Sequence, residues 1–315
     1  MVIKLQIRLG YAAISQILFP LTTSSTYTYT NFIKDYNYSK LFNIIEANLN
    51  NLIILLTYNA KNNIHFYRLS SNIIPLATKN EVNFDYIERF KPLYQKISKI
   101  INENQMRIDM HPSTYCILNS TKKEVVEMTI NILEYHYKLL NAMGIKNKLI
   151  IIHVGSNTFG KKNSLTRFIN NFNNLPNYLK EVIAIENDDK VFTVEDCLYL
   201  AKKLSIPVVL DYHHFKCNHD SKDINELLEK VLTTWTKNKP KMHFSSSKNN
   251  KEIRSHNSQI DADDFIDFLI KLSKYKRDID IMIEAKAKDE ALFQLIRKLK
   301  YKTNYKFLDD TTIEL

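Results

Sequence analysis

The chain has 315 residues, 44% hydrophobic and 25% charged, enough for one full core in the size range of a single α/β barrel. Three cysteines, Cys116, Cys197 and Cys217, with no CxxC spacing indicate neither a disulfide framework nor a thiolate zinc site. No stretch reaches the roughly 18 apolar residues of a spanning helix, and a net charge of +10 favours a polyanionic partner over a membrane, although lysine-rich composition bias also yields such an excess.

Apolar, β-branched runs of strand length recur at 7–14, 65–70, 106–111, 148–155, 181–188, 206–213, 241–245 and 280–285. Helical patterns fall between and after them, near 39–61, 83–104, 120–143, 161–174, 193–204, 223–236, 261–274 and 288–300. Ser120 or Thr121 and Thr193 are caps for two of these helices, and Gly144 is a stop. Eight β-α units without a leftover hairpin predict a parallel sheet closed as a (β/α)8 TIM barrel: a single domain over 1–315, core about 5–300, with a short tail at 301–315. Four glycines leave no room for a dinucleotide-binding loop. The hydroxyl- and tyrosine-rich segment 21–32 reads either as a capped surface loop or as a nucleic-acid contact loop on the active face.

Six consecutive strand ends carry metal-type side chains: His111, His153, Glu186, Asp211 with His213 and His214, His243, and Glu284, with His256 in the loop after the seventh strand. Burying so many carboxylates and imidazoles uncompensated costs several kcal/mol per ion, whereas a divalent cation makes the cluster stabilising. Nitrogen and oxygen ligands without sulfur suit Mn2+, Zn2+ or Fe2+. About eight ligands imply two or three ions, with Glu186 and Asp211 as bridges, able to activate water for phosphodiester hydrolysis. Alternation sends Lys241 to the same side as His243; it either lies deep against a carboxylate such as Asp211 or Glu284, or is neutral and carbamylated. Alternation from Asp211 favours His213, while a turn at the strand end would deliver His214; both are open.

These residues and their neighbours resemble the UV damage endonuclease family from the first strand to about residue 300. The segments are LGY at 9–11, FYRLSSNIIPLAT at 66–78, MHPSTY at 110–115, YHYKLLNAMGI at 135–145, IIHVG at 151–155, IENDDK at 185–190, LDYHHF at 210–215, PKMHFSS at 240–246, RSH at 254–256 and MIEAKAKD at 282–289. The resemblance implies a metal-dependent barrel related in fold to sugar isomerases and apurinic-site endonucleases. It implies ligands at His111, His153, Glu186, Asp211, His214, His243, His256 and Glu284 for a manganese cluster of up to three ions. By it, Lys241 matches a lysine carried in carboxylated form, and Tyr11 an aromatic near the lesion.

The implied reaction nicks double-stranded DNA immediately 5′ to cyclobutane dimers and 6-4 photoproducts, leaving a 3′-hydroxyl and a 5′-phosphate. Glu186, Lys241 and Tyr11 would serve catalysis, and Arg254, Lys286 and Lys288, with Lys161 and Lys162, would contact phosphates. The family pair that wedges into the duplex is commonly Gln with Tyr or Phe; here Tyr115 stands but Thr114 replaces Gln, and a shorter side chain fills less of the gap left by flipped nucleotides. The expected protein is a cytoplasmic, nucleoid-associated monomer. Its rivals are a sugar isomerase or epimerase of the same barrel type, and a silent damage sensor, which would need lost ligands.

Overall fold

The computed structural model describes residues 5–220 and 223–315. Eight short strands run parallel: β1 (Gln6–Ala12), β2 (Phe66–Leu69), β3 (Arg107–Met110), β4 (Ile150–His153), β5 (Ile183–Glu186), β6 (Val208–Asp211), β7 (Lys241–Phe244) and β8 (Ile279–Ile283). Each pairs with the next in sequence, and β1 pairs with both β8 and β2, so the sheet closes. Closure is tight at Gly10, where a Cβ would lie 2.1 Å from the Phe66 carbonyl oxygen. Only glycine allows that approach.

The strands are shorter than the apolar runs that mark them, because the flanking residues bend into the connecting loops. The helix expected over 83–104 is divided into Tyr86–Arg89 and Lys91–Glu103, with Pro92 in the first turn of the second, where its missing N–H costs nothing. Thr193 caps Val194–Leu204 in a reciprocal box with Asp196. Lys123–Ala142 instead starts from Lys122 without a side-chain cap; the Ser120 hydroxyl accepts from the Lys122 N–H just ahead of the helix. That helix stops before Gly144, whose φ is +68°. Tyr38–Lys61 is long and apolar enough to cross a membrane, yet Leu41, Ile45, Leu49, Leu52, Leu55 and Leu56 bury its apolar stripe in the core.

The structure sharpens two expectations. The tail is a β-hairpin, β9 (Lys306–Phe307) and β10 (Thr312–Glu314), and β10 pairs antiparallel with the lower half of β1. There β1 projects below its contact with β2, which begins only at Tyr11, and its backbone groups need partners. Within 21–32, a helix begins at Tyr29 with Thr28 as cap, and Tyr27 is buried with its hydroxyl on Asp35. The capped-loop reading fits that segment; its tyrosine at 27 presents no face to a base.

Register sorts the inward side chains into layers. At the floor, Asp280 accepts from Arg8 (2.7 and 2.8 Å) and Arg107 (2.7 Å). Above lie Phe66, Asp109, Lys241 and Met282. The next inward positions, at the C-terminal mouth, are Arg68, His111, His153, Glu186, Asp211, His243 and Glu284.

Candidate metal centre

Strand ends deliver most of the polar mouth. His153, Glu186 and Asp211 are the last residues of β4, β5 and β6, and His243 lies one residue before the end of β7. His111 and Glu284 follow directly on β3 and β8. After β6 the chain turns at once into a helix, Tyr212–Cys217, because the Asp211 carboxylate accepts from the His214 N–H at 2.7 Å and caps it. That turn breaks the period of two and decides which of the two histidines reaches the cluster. His214 comes to 3.7 Å from Asp211 and 3.9 Å from Glu186, whereas His213 is buried against Cys217 and the His256 ring.

Glu186 is the hub. One carboxylate oxygen lies 2.7 Å from His111 Nε2 and 3.7 Å from His153 Nε2; the other lies 2.5 Å from His243 Nδ1. Glu284 approaches His243 at 3.2 Å and His256 at 4.0 Å. Two sets, His111–His153–Glu186 and Glu186–Asp211–His243–Glu284, each offer ligand atoms within 4.8 Å of one another.

The electrostatics suit a cation. Burial pushes the Glu186 carboxyl up, but His243, His153 and His111 pull it well below the usual carboxylate range. Burial lowers His243 and His153, keeping them neutral as ligands must be. His214 runs the other way: burial opposes its charge, yet Asp211, Glu186 and Glu284 carry it up to about 9. Asp211 Oδ2 and His153 Nδ1 are buried without a hydrogen-bond partner. Asp211 Oδ2, an orphaned buried acceptor beside ionised carboxylates and imidazole nitrogens, is an atom that a divalent cation would partner.

Arg68, absent from the ligands read from the sequence, belongs to this layer. Its guanidinium donates to Glu284 at 2.6 Å and meets His243 Nε2 at 2.8 Å. The signal was parity: Arg68 is the inward residue near the end of β2, a strand with no metal-type side chain. Asp109 was missed as well. It holds Lys241 at 2.7 Å one layer below the ligands, both side chains fully buried. Lys241 is thus deep, as one of its two readings had it, but its partner is neither Asp211 nor Glu284. Burial, opposed by Asp109 and aided by Arg68, lowers its ammonium to about 7.

Tyr11 is not brought to the cluster. Its register partner on β8 is Ile283, an outward position, and its hydroxyl donates to Asn59 on the covering helix at 2.8 Å with no exposed surface. Parity again decides: Gly10 and Ala12 face inward, so Tyr11 faces the helices.

Measured against known proteins, the chain is 40% identical over 299 residues to a UV DNA damage endonuclease of Bacillus cereus strain B4264, spanning 93% of this chain and 94% of that one. It is 38% identical over 313 residues to a UV DNA damage endonuclease of Bacillus anthracis strain A0248, spanning 98% and 99%. Residues 7–314 match the family described as UV-endonuclease UvdE. The chain belongs to the UvdE family.

It is therefore an enzyme of the endonuclease class. The crystal structure of SacUVDE superposes with a TM-score of 0.86 at 34% identity, covering 94% of this chain and 98% of that one. Endonuclease IV from Thermus thermophilus (TM-score 0.54, 12% identity, 94% and 100% covered) and the 3-keto-D-glucoside 4-epimerase YcjR from E. coli (0.56, 9%, 94% and 99%) share the barrel fold alone.

The rim of the UvdE barrel mouth carries the remaining sequence-derived residues. Thr114 and Tyr115 are exposed on the loop after β3, Tyr115 to 73%. Lys286 is exposed and Lys288 half-buried after β8. Arg254 is half-exposed but donates to the Asp189 carbonyl at 3.0 Å, which ties the loop after β7 to the one after β5. Lys162 is exposed; Lys161 is engaged with Asp196 at 2.7 Å.

Proposed function

We propose that this chain nicks double-stranded DNA immediately 5′ to UV photolesions, cyclobutane dimers and 6-4 photoproducts among them, leaving a 3′-hydroxyl and a 5′-phosphate. The observation that carries the reading is Glu186: one fully buried carboxylate flanked by the ring nitrogens of four imidazoles within 3.9 Å. His111, His153, Glu186, Asp211, His214, His243, His256 and Glu284 would hold two or three divalent ions; the donor chemistry suits Mn2+, Zn2+ or Fe2+, and the family resemblance favours Mn2+. Such ions lower the pKa of water and neutralise charge on a phosphodiester.

The protein's own residues orient that site. Arg68 fixes Glu284 and His243 from the side of β2, so neither carboxylate nor ring is free to rotate. Asp211, committed through one oxygen to the His214 N–H, presents the other to the centre. A Lys241 pKa lowered to about 7 leaves part of its population as the free amine that combines with carbon dioxide, and a carboxylated Lys241 is part of this reading. Tyr115 is the probe that enters the duplex, with Thr114 filling less of the gap than a glutamine. Arg254, Lys286 and Lys288 are the phosphate contacts. Substrate selection rests on the weakened stacking of damaged steps.

The epimerase alternative has the barrel alone in its support. A duplex oligonucleotide with one thymine dimer and a 5′ label tests the reading. A single product ending in a 3′-hydroxyl that a polymerase extends, cut at the bond 5′ to the dimer, is the predicted result. A 3′-phosphate end, or cutting spread along the duplex, would sink it.

A further inference from the structure

Phe159 is 75% exposed at the tip of the loop that leaves β4 just after His153. Its loop does not float. Asn119, from the loop after β3, grips Ser156 through both its carbonyl and its N–H at 2.8 Å. Arg167 donates to the Asn119 carbonyl at 2.9 Å and to the Thr158 carbonyl, and Asn163 donates to the Phe159 carbonyl at 2.8 Å. The backbone at Phe159 is left-handed, φ +62°, a conformation unfavourable for a phenylalanine, although Gly160 follows with open space around it. An aromatic three-quarters exposed, on a braced and strained tip beside the site, is positioned for something outside the chain.

A cleft of about 340 Å³ lies among the base of this loop at Gly155 and Ser156, the loop bearing Tyr115, and the loop after β5 at Asp188 to Val191. Its walls include Pro112, Thr114, His153, Gly155 and His214, so it opens directly from the metal centre. Lys162 stands exposed three residues along from the aromatic. Tyr115 and Phe159 are thus exposed on the two loops whose Thr114 and Ser156 line the cleft, loops that Asn119 joins.

We propose that Phe159 is a second aromatic platform for the damaged duplex, stacking on a base next to the step that Tyr115 enters; this rests on the lesion-nuclease reading above. Thr114 is too short to occupy the gap, and a ring on the facing loop supplies the contact area it lacks. Base-aromatic stacking tolerates any sequence, which suits a nuclease that selects damage over sequence. Phe159 is accordingly a substrate-positioning residue.

The test compares wild type with Phe159→Ala, Phe159→Gly and Phe159→Trp in the full chain loaded with Mn2+, on a duplex bearing one thymine dimer. Glycine suits φ +62°, so Phe159→Gly relieves backbone strain and keeps the test independent of folding. KM for the damaged duplex should rise about tenfold in the alanine and glycine variants, with kcat within about twofold and tryptophan restoring KM. Fluorescence anisotropy with metal-free protein should show the same loss of affinity, a readout independent of turnover. Unchanged KM and affinity in both truncations, with wild type active, would overturn this proposal alone. A wild type that cuts no damaged duplex would overturn the lesion-nuclease reading and this one with it.

Discussion

Residues of a polar mouth are legible in a sequence when strand ends can be counted, and His111, His153, Glu186, Asp211, His243 and Glu284, read that way, do come together at one end of the barrel. What periodicity could not supply was the phase of every strand. Tyr11 failed because one residue of offset sends it to the helix layer, and Arg68 and Asp109 were passed over because a lone arginine or aspartate on a strand carries no chemical signature. His136 shows how far a residue's role can hide. Fully buried on helix Lys123–Ala142, it donates from Nδ1 to the Ile132 carbonyl and, through Nε2 at 2.9 Å, meets the Ser71 hydroxyl, whose oxygen also lies 3.0 Å from the His111 carbonyl. Burial lowers its pKa to about 4. The unfolded chain, near 6.5, therefore binds more protons than the folded one between those values, so stability is lost as pH falls through that window. Chemical denaturation of wild type and His136→Asn from pH 7 to pH 4 should show the wild type losing more, the excess reaching roughly 3 kcal/mol at pH 4. Parallel losses would mean that His136 does not carry this dependence.

At the level of elements, alternation of apolar runs with capped helical stretches was enough to specify eight βα units, because each unit must bury one helix stripe against one strand. The closing hairpin escaped because a short segment with two adjacent aspartates reads as tail, and only the projecting end of β1 gives it a partner. Leu5 and Leu315 exchange backbone hydrogen bonds at 3.4 and 2.9 Å, and Ile313 is fully buried. Removing residues 304–315 strips β1 of that cover. By burial and lost pairing it should cost about 3 kcal/mol and lower Tm by about 6 °C, with amide exchange accelerating in Gln6–Arg8. A truncated chain melting with the full one would show that the hairpin is ornament to the barrel.

For the whole molecule, charge and fold alone would have suited either an epimerase or a nuclease. The ring of ligands narrowed the chemistry, and family membership decided between them. A polar mouth, exposed Tyr115 and Phe159 on loops at its rim and a net charge of +10 for the chain as a whole all accord with a polyanionic substrate. The most direct measurement is the nicking of supercoiled plasmid by the purified chain with Mn2+, after chelation, and as Glu186→Ala. UV-irradiated plasmid should be relaxed only by wild type with Mn2+, while unirradiated plasmid stays closed. Equal relaxation of both plasmids, or undiminished activity in Glu186→Ala or after chelation, would contradict a lesion-directed metal centre built around Glu186.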